Sequence, residues 1–288
     1  MKYIYNTAIF LYALIIRFYS LFDEKAAQFV SGRKKWRIRL ENVLDKNARY
    51  VWIHCASLGE FEQGRPVIEE IKSKHSGYKV ILTFFSPSGY EVRKNFELAD
   101  IVIYLPIDTK KNAKDFIGMV QPEKVFFVKY EFWYHYITCL HQNKIPLFII
   151  SGIFRSDQHF FKNWIWSKWF RKILFKIEHF FVQNEASGIL LKNIGLTNYS
   201  ISGDTRFDRV AAIASHAKKI PIVEKFKGKY PLVIAGSTWK PDEELLISFI
   251  NNSKGIKFII APHEVSSSNI NRIIQLLKKP AVLFSQIE

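Results

Sequence analysis

The chain has 288 residues, enough to bury the apolar cores of two domains without disulfide or metal staples. A hydrophobic share of 48% against 24% charged excludes global disorder, and two cysteines, Cys55 and Cys139, exclude a disulfide framework or a four-cysteine zinc site. Lys and Arg number 42 against 26 Asp and Glu, a formal charge of +16, which calls for an anionic partner: a phosphorylated substrate, anionic lipid or nucleic acid.

The first apolar stretch, Tyr3 to Phe22, carries one charge, Arg17. Its length matches the ~30 Å hydrocarbon layer of a bilayer, so residues 1–30 are expected to form a membrane anchor or an interfacial helix. No small-residue cleavage site follows. Arg33, Lys34, Lys35, Arg37 and Arg39 come next without an acid among them. The positive-inside rule then keeps the rest of the chain on the cytoplasmic side. A second stretch, Phe154 to Phe181, interleaves Trp164, Trp166, Trp169 and several phenylalanines with Arg155, Lys162, Lys168, Arg171, Lys172 and Lys176. Rings alternating with cations suit a headgroup layer, and equally a helix packed on a core with solvated lysines.

From residue 50 the pattern is regular. Apolar runs of strand length lie at Tyr50–His54, Lys79–Phe84, Ile101–Tyr104, Lys124–Val128, Pro146–Ser151, His179–Val182 and Tyr199–Ser202. Amphipathic segments such as Thr109 to Val120 separate them. This alternation predicts an α/β fold with a parallel, doubly wound sheet. A second series follows, with strands at Leu232–Ala235, Phe258–Ala261 and Ala281–Phe284 and helices between them. The less apolar segment 203–229 contains Pro221 and separates the two series. The expected domains are therefore residues 31–205 and 206–288. Three strands fall short of the five or six of a doubly wound sheet, so the second domain is expected to be incomplete.

Ligands of parallel sheets sit in the loops after the strands. After the first strand come Ala56-Ser57-Leu58-Gly59-Glu60. Gly59 permits a sharp turn, and Glu60 at a helix start is either a dipole partner or a general base. After the second come Ser86-Pro87-Ser88-Gly89, which suit helix capping or an anion on free amides. After the fourth, Glu131 stands among Tyr130, Phe132 and Trp133, as a sugar contact or a solvated rim residue. Further on, Arg206 in Gly203-Asp204-Thr205-Arg206-Phe207-Asp208 is either a phosphate fork or half of a surface pair with Asp208. Ser237 and Thr238 form a small-residue turn before a helix, again suited to an anion. Pro262, His263 and Glu264 end another strand, and without an HExxH motif they point only weakly to zinc. No Walker loop, GxGxxG or kinase signature occurs, and charge alone does not make a nucleic-acid module, so no nucleic-acid partner is expected.

Taken in order, Ala56–Glu60, Ser86–Gly89, Leu105–Asp108, Glu131–Trp133, Gly203–Asp208, Ala235–Thr238 and Ala261–His263 resemble the Kdo (3-deoxy-D-manno-octulosonic acid) transferases of lipopolysaccharide synthesis. The resemblance implies a GT-B fold, two Rossmann-like domains with the active site between them. It implies a metal-independent, inverting glycosyltransferase that moves Kdo from CMP-Kdo to a lipid A precursor at an anionic membrane, with no cofactor beyond the donor. By position, Glu60 would be the general base, and Glu131 and Arg206 the transition-state stabilisers. Ser57, Gly59, Ser86, Ser88, Gly89, Ser237, Thr238, Pro262 and His263 would bind substrate. The family usually has lysine at Arg206 and arginine at His263, and its members run well over a hundred residues further. The alternatives are another membrane-associated GT-B glycosyltransferase and a truncated remnant that binds lipid without transferring sugar.

Overall fold

The computed structural model describes residues 1–215 and 219–287. The chain divides into two units, Met1–Ser215 and His216–Glu288.

Unit 1 opens with three helices, α1 (Lys2–Tyr19), α2 (Glu24–Ser31) and α3 (Trp36–Val43). Strand and helix then alternate: β1 (Arg49–Cys55), α4 (Leu58–Lys74), β2 (Tyr78–Phe84), α5 (Pro87–Arg93), β3 (Ile101–Tyr104), α6 (Lys110–Val120), β4 (Lys124–Val128), α7 (Tyr134–Gln142) and β5 (Leu147–Gly152). The unit closes with α8 (Ile165–Arg171), β6 (His179–Val182), α9 (Glu185–Asn193), β7 (Tyr199–Ile201) and α10 (Arg206–Ser215). The strands form one sheet in the order β3-β2-β1-β4-β5-β6-β7, all parallel. Alternate residues of β1 explain why both faces are covered. Val51, Ile53 and Cys55 pack with Phe61, Ile68 and Ile71 of α4. Tyr50 and Trp52 face the opposite way, towards Leu40, Phe116 and Tyr136 on α3, α6 and α7. Gly64 lets α4 approach the sheet closely, because a Cβ there would stand 2.9 Å from the Cys55 sulfur.

The amino-terminal helix departs from the expected membrane span. Among the described residues no helix is long and apolar enough to cross a membrane. The helix ends at Tyr19, and its polar side chains are used inward. Tyr5 is its one buried residue. The Tyr5 hydroxyl donates to Asp108 Oδ2 at 2.5 Å, and His135 Nε2 lies 2.7 Å from Asn6 Oδ1. Burial pushes the His135 pKa down to about 4, so at neutral pH the ring is uncharged and donates that Nε2 proton to Asn6. Facing outward, Phe10, Leu11, Leu14, Ile15 and Phe18 are exposed.

The basic cluster after it is engaged in the fold. Arg33 is buried and donates to the carbonyls of Phe29, Phe85 and Leu105, while Arg37 pairs with Asp115. The stretch Phe154–Phe181 is broken into two short 3-10 turns around α8. Phe154, Phe160 and Leu174 turn into the core, and Trp164, Ile165 and Phe175 stay exposed.

Unit 2 comprises α11 (Pro221–Lys227), β8 (Leu232–Thr238), α12 (Lys240–Asn252), β9 (Lys257–Pro262) and α13 (Ser267–Leu276). Its sheet has two parallel strands, β8 and β9. Ala281–Phe284, expected as a strand, is irregular chain leading into a 3-10 turn at Phe284–Gln286. Val282 and Phe284 lie exposed there, and among the described residues no strand pairs with them to give an alternating face a sheet to bury against. α10, placed by the sequence in the second domain, belongs to unit 1, where it packs on α4.

Candidate functional site

Parallel pairing puts the carboxyl ends of all seven strands of unit 1 on one edge. The strand order reverses between β1 and β4, and the chain leaves them for helices on opposite faces, α4 and α7. Such a switch point opens a crevice for ligands. Glu60 follows β1 and Glu131 follows β4, so both carboxylates stand at it.

Glu60 lies in the first turn of α4, where the helix dipole favours a negative charge. The Ser57 hydroxyl donates to Glu60 Oε2, and Lys129 Nζ stands 3.7 Å from Oε1. Both members of the Glu60–Lys129 pair are 17% exposed, within reach of a ligand yet partly shielded from water. Lys129 follows β4 in the left-handed region, at φ 62°, a conformation that costs a non-glycine residue about 1–2 kcal/mol. Gly59 is exposed beside the pair.

Ser86 caps α5, accepting from the Ser88 amide at 3.2 Å, with the two hydroxyls 2.9 Å apart. Gly89 is required by packing. A Cβ there would stand 2.3 Å from the Phe84 ring and 3.0 Å from the Ser57 carbonyl carbon. The Ser86–Gly89 turn thus leans directly on the loop that carries Glu60.

Glu131 Oε2 receives the Trp133 indole N–H at 2.7 Å and lies 3.3 Å from His54 Nε2. His54 is fully buried, and its Nδ1 is 2.8 Å from the Thr83 hydroxyl. Cys55 is buried close by. Burial, with Glu60 and Glu131 adding, pushes its thiol well above the ordinary range and disqualifies it as a nucleophile.

Arg206 starts α10 and pairs with Asp204, through Nε at 2.9 Å and Nη2 at 2.5 Å to Oδ2. The expected alternative partner, Asp208, is not used. Burial pushes the Asp204 carboxyl up, but hydrogen bonds from Arg206 and Gln63 outweigh it and hold it at about 2. Hydrogen bonding to Asp204 raises the Arg206 pKa, and Glu60 and Tyr130 add to it, which puts the guanidinium in the same electrostatic neighbourhood as the Glu60 carboxylate. Gln63 Nε2 donates to Asp204 at 2.8 Å, and Thr205 donates to the Gln63 carbonyl at 2.7 Å. A register shift leaves Ser151 of β5 in the left-handed region, with its hydroxyl 2.8 Å from that of Thr205. Glu60, Glu131, Arg206, Ser57, Gly59, Ser86, Ser88 and Gly89 are therefore all carried by the loops at one edge of unit 1.

The other four expected residues lie on the corresponding edge of unit 2. Ser237 sits at a register shift near the end of β8, with φ 54°. Thr238 donates to the buried Glu243 at 3.1 Å, and Arg272 also pairs with Glu243. Pro262 ends β9, and the His263 amide donates to the Thr238 carbonyl at 2.9 Å. The His263 ring stacks on Trp239 with centroids 4.2 Å apart. Among the described residues no group of three or more His, Cys, Asp or Glu side chains is placed to hold a metal.

Sequence reading missed Lys129, Gln63, Asp204 and His54 as neighbours of these groups. Contacts such as Gln63–Asp204 join residues 141 positions apart, which no local pattern reports. His54 did carry a signal, as a polar residue inside a strand buried on both faces.

Residues 34–209 match the profile of a family described as 3-deoxy-D-manno-octulosonic-acid transferase (kdotransferase). A bifunctional glycosyltransferase/methyltransferase of Fusobacterium nucleatum is 24% identical over 81% of this chain and 37% of its own length. The 3-deoxy-D-manno-octulosonic acid transferases of Aquifex aeolicus and Haemophilus influenzae are 25% and 23% identical, over 76% and 81% of this chain. The chain spans about half the length of these two relatives, 56% of each. Among solved structures, the UDP-GlcNAc 2-epimerase of Neisseria meningitidis bound to UDP-GlcNAc superposes with a TM-score of 0.58, at 16% identity, over 81% of this chain and 73% of that one. The UDP-GlcNAc 2-epimerase of Methanocaldococcus jannaschii gives 0.51 at 13%, over 80% and 77%. These likenesses show a shared α/β fold.

Proposed function

The chain belongs to the 3-deoxy-D-manno-octulosonic-acid transferase family, and on that premise we propose that it transfers Kdo from CMP-Kdo to a lipid A precursor, with inversion at the anomeric carbon and without a metal or further cofactor. The observation that carries this reading is the placement of Glu60 at the β1/β4 switch point, at a helix start, beside Ser57 and Lys129.

In this reading the two units are the Rossmann-like domains of a GT-B enzyme, and unit 1 receives the acceptor. An acceptor hydroxyl is a weak nucleophile. Glu60 takes its proton as the oxygen attacks the anomeric carbon of Kdo. The bond from that carbon to the CMP phosphate oxygen breaks, and the electron pair leaves with CMP. Arg206 answers the growing negative charge, and Glu131 faces the positive charge that develops on the sugar ring. Ser237, Thr238, Pro262 and His263, at the sheet edge of unit 2, are the groups assigned to the nucleotide. Ser57, Gly59, Ser86, Ser88 and Gly89 are assigned to substrate on the unit 1 side.

The lipid acceptor places the protein on the cytoplasmic face of the inner membrane. The outward row of α1, together with Trp164 and Ile165 by α8, offers apolar groups that an interfacial helix buries among headgroups. Tyr5 packs against Trp169 and Phe170 of α8, so the two helices are neighbours.

The test is incubation of the detergent-solubilised chain with CMP-Kdo and a tetraacylated lipid A precursor, with product read by mass spectrometry. Product is expected, and Glu60→Gln should lower turnover by about 10²- to 10⁴-fold with the circular dichroism spectrum unchanged. Undiminished turnover by that variant would remove Glu60 as the base.

A further inference from the structure

Glu131 does not stand alone on its loop. Its Oε2 is the end point of a line of side chains that runs inward through the middle of the sheet. Trp52 Nε1 lies 2.8 Å from Thr83 Oγ1, Thr83 Oγ1 lies 2.8 Å from His54 Nδ1, and His54 Nε2 lies 3.3 Å from Glu131 Oε2. Trp133 Nε1 reaches the same oxygen from the other side at 2.7 Å. Trp52, Thr83 and His54 are all fully buried. Water therefore cannot substitute for a missing partner along this line.

The direction of the bonds follows from the two ends and from the charge on Glu131. An indole N–H only donates, so Thr83 Oγ1 accepts from Trp52. The single hydroxyl proton of Thr83 then has two possible acceptors, the Ile53 carbonyl at 3.5 Å and His54 Nδ1 at 2.8 Å. The shorter contact is the better bond. At the far end a carboxylate only accepts. A neutral imidazole has one proton for two neighbours that only accept, Glu131 Oε2 at 3.3 Å from Nε2 and the Thr83 carbonyl at 3.2 Å from Nδ1. The charged carboxylate is the stronger acceptor, so the proton sits on Nε2 and the Nδ1 lone pair takes the Thr83 hydroxyl at 2.8 Å. The ring is also held edge-on to Phe127, with centroids 5.2 Å apart, which fixes its plane.

We infer that His54 is a positioning residue for Glu131: it is held as the Nε2–H tautomer by the donor line from Trp52 through Thr83, and it aims Glu131 so that Oε1 is the oxygen presented to the sugar. This rests on the reading of Glu131 as a group that faces the reacting sugar. Two donors converge on Oε2, whereas Oε1 has no hydrogen-bond partner among the described residues. The line thus divides the labour of the carboxylate. One oxygen is fixed by the fold and the other is left to the ligand.

The experiment has two arms on the full chain. The first is independent of catalysis. Long-range ¹⁵N–¹H correlation spectra of imidazole-labelled protein, with His54 assigned by its loss in His54→Asn, should show a neutral ring protonated at Nε2. Glu131→Gln should shift that ring's resonances while leaving the other histidines in place. A ring protonated at Nδ1, or one indifferent to Glu131→Gln, overturns the inference.

The second arm is a double-mutant cycle in the Kdo transfer assay. Gln places an amide nitrogen where Nε2 stands, and Asn places it where Nδ1 stands. His54→Asn is expected to lower kcat by about ten- to hundredfold with KM little changed, as for loss of a donor to a charged group. His54→Gln should recover most of that loss, and His54→Asn should cost nothing further on a Glu131→Gln background. Equal losses for the Asn and Gln variants, or a full extra loss on the Glu131→Gln background, would overturn the positioning role. Full activity of Glu131→Gln alone would instead dismiss Glu131 from the reaction, with the tautomer still decided by the spectra.

Discussion

Replacing Tyr5 with Phe removes one oxygen from the joint that holds α1. The ring contacts with Tyr134, His135, Trp169 and Phe170 remain. What goes is the hydroxyl donor to Asp108, which is 1% exposed and otherwise receives the backbone amides of His135 and Tyr136 at 3.0 Å each. A hydrogen bond to a charged group contributes about 1.5–3 kcal/mol. Since Tyr5 is the one buried residue of α1, the loss should fall on that helix first. About 2 kcal/mol corresponds to roughly a thirtyfold fall in protection of the α1 amides, measured by hydrogen–deuterium exchange with mass spectrometry. The strands of unit 1 should exchange as before.

The effect carries a pH signature. Burial raises the Asp108 pKa from 3.8 to about 6, against the hydrogen bonds from Tyr5, His135 and Tyr136, which lower it. A carboxyl with a raised folded pKa binds its proton more tightly in the native state. Its contribution therefore falls as pH rises from about 4 to 6, by roughly 3 kcal/mol, and levels off above. The lost hydroxyl favours the ionised form, so the Tyr5→Phe penalty should be larger at pH 8 than at pH 5. Unchanged α1 exchange at pH 8, or a penalty that shrinks as pH rises, would refute this account of the joint.

Two further outcomes are expected. Gly64→Ala sets a methyl group against the Cys55 sulfur, with Val128 3.3 Å away, and should lower the urea midpoint of unit 1 by the equivalent of about 1–3 kcal/mol. Ile15→Asp, on the exposed row of α1, should weaken co-sedimentation with vesicles containing anionic phospholipid without changing thermal stability; equal binding by both proteins would count against α1 as the interfacial element.

The seven strands of unit 1 were legible because each is a short run set between helices, and for the central strands burial on both faces leaves little else for an apolar run to become; β7, at the sheet edge, has no buried residue. The helix expected from Thr109 to Val120 is α6, and the Thr109 hydroxyl caps it by accepting from the Asn112 amide at 3.1 Å. The loops that would hold chemistry were legible from a rule of position, that ligands gather after strands. What the loops do to one another was not. Arg206 was read as a phosphate fork or as half of a surface pair with Asp208, its neighbour on the helix, but the chain turns so that Asp204 takes the guanidinium. Arg33 was read as a flanking charge, and only the fold reveals three carbonyls for it to close. The apolar length of Tyr3–Phe22 suggested a span, because hydropathy counts residues without asking whether Tyr5 and Asn6 have polar partners elsewhere in the chain.

The Arg206–Asp204 contact has a directional consequence. A guanidinium has a side edge, Nε with Nη2, and an end edge, Nη1 with the outer hydrogen of Nη2. Asp204 occupies the side edge, which leaves the end edge pointing away from it as the face on which an incoming oxyanion would land. A lysine at this position would have a single ammonium to divide between its acidic neighbour and any visitor. Arginine can be tethered on one flank and still greet a guest with a complete two-pronged grip on the other.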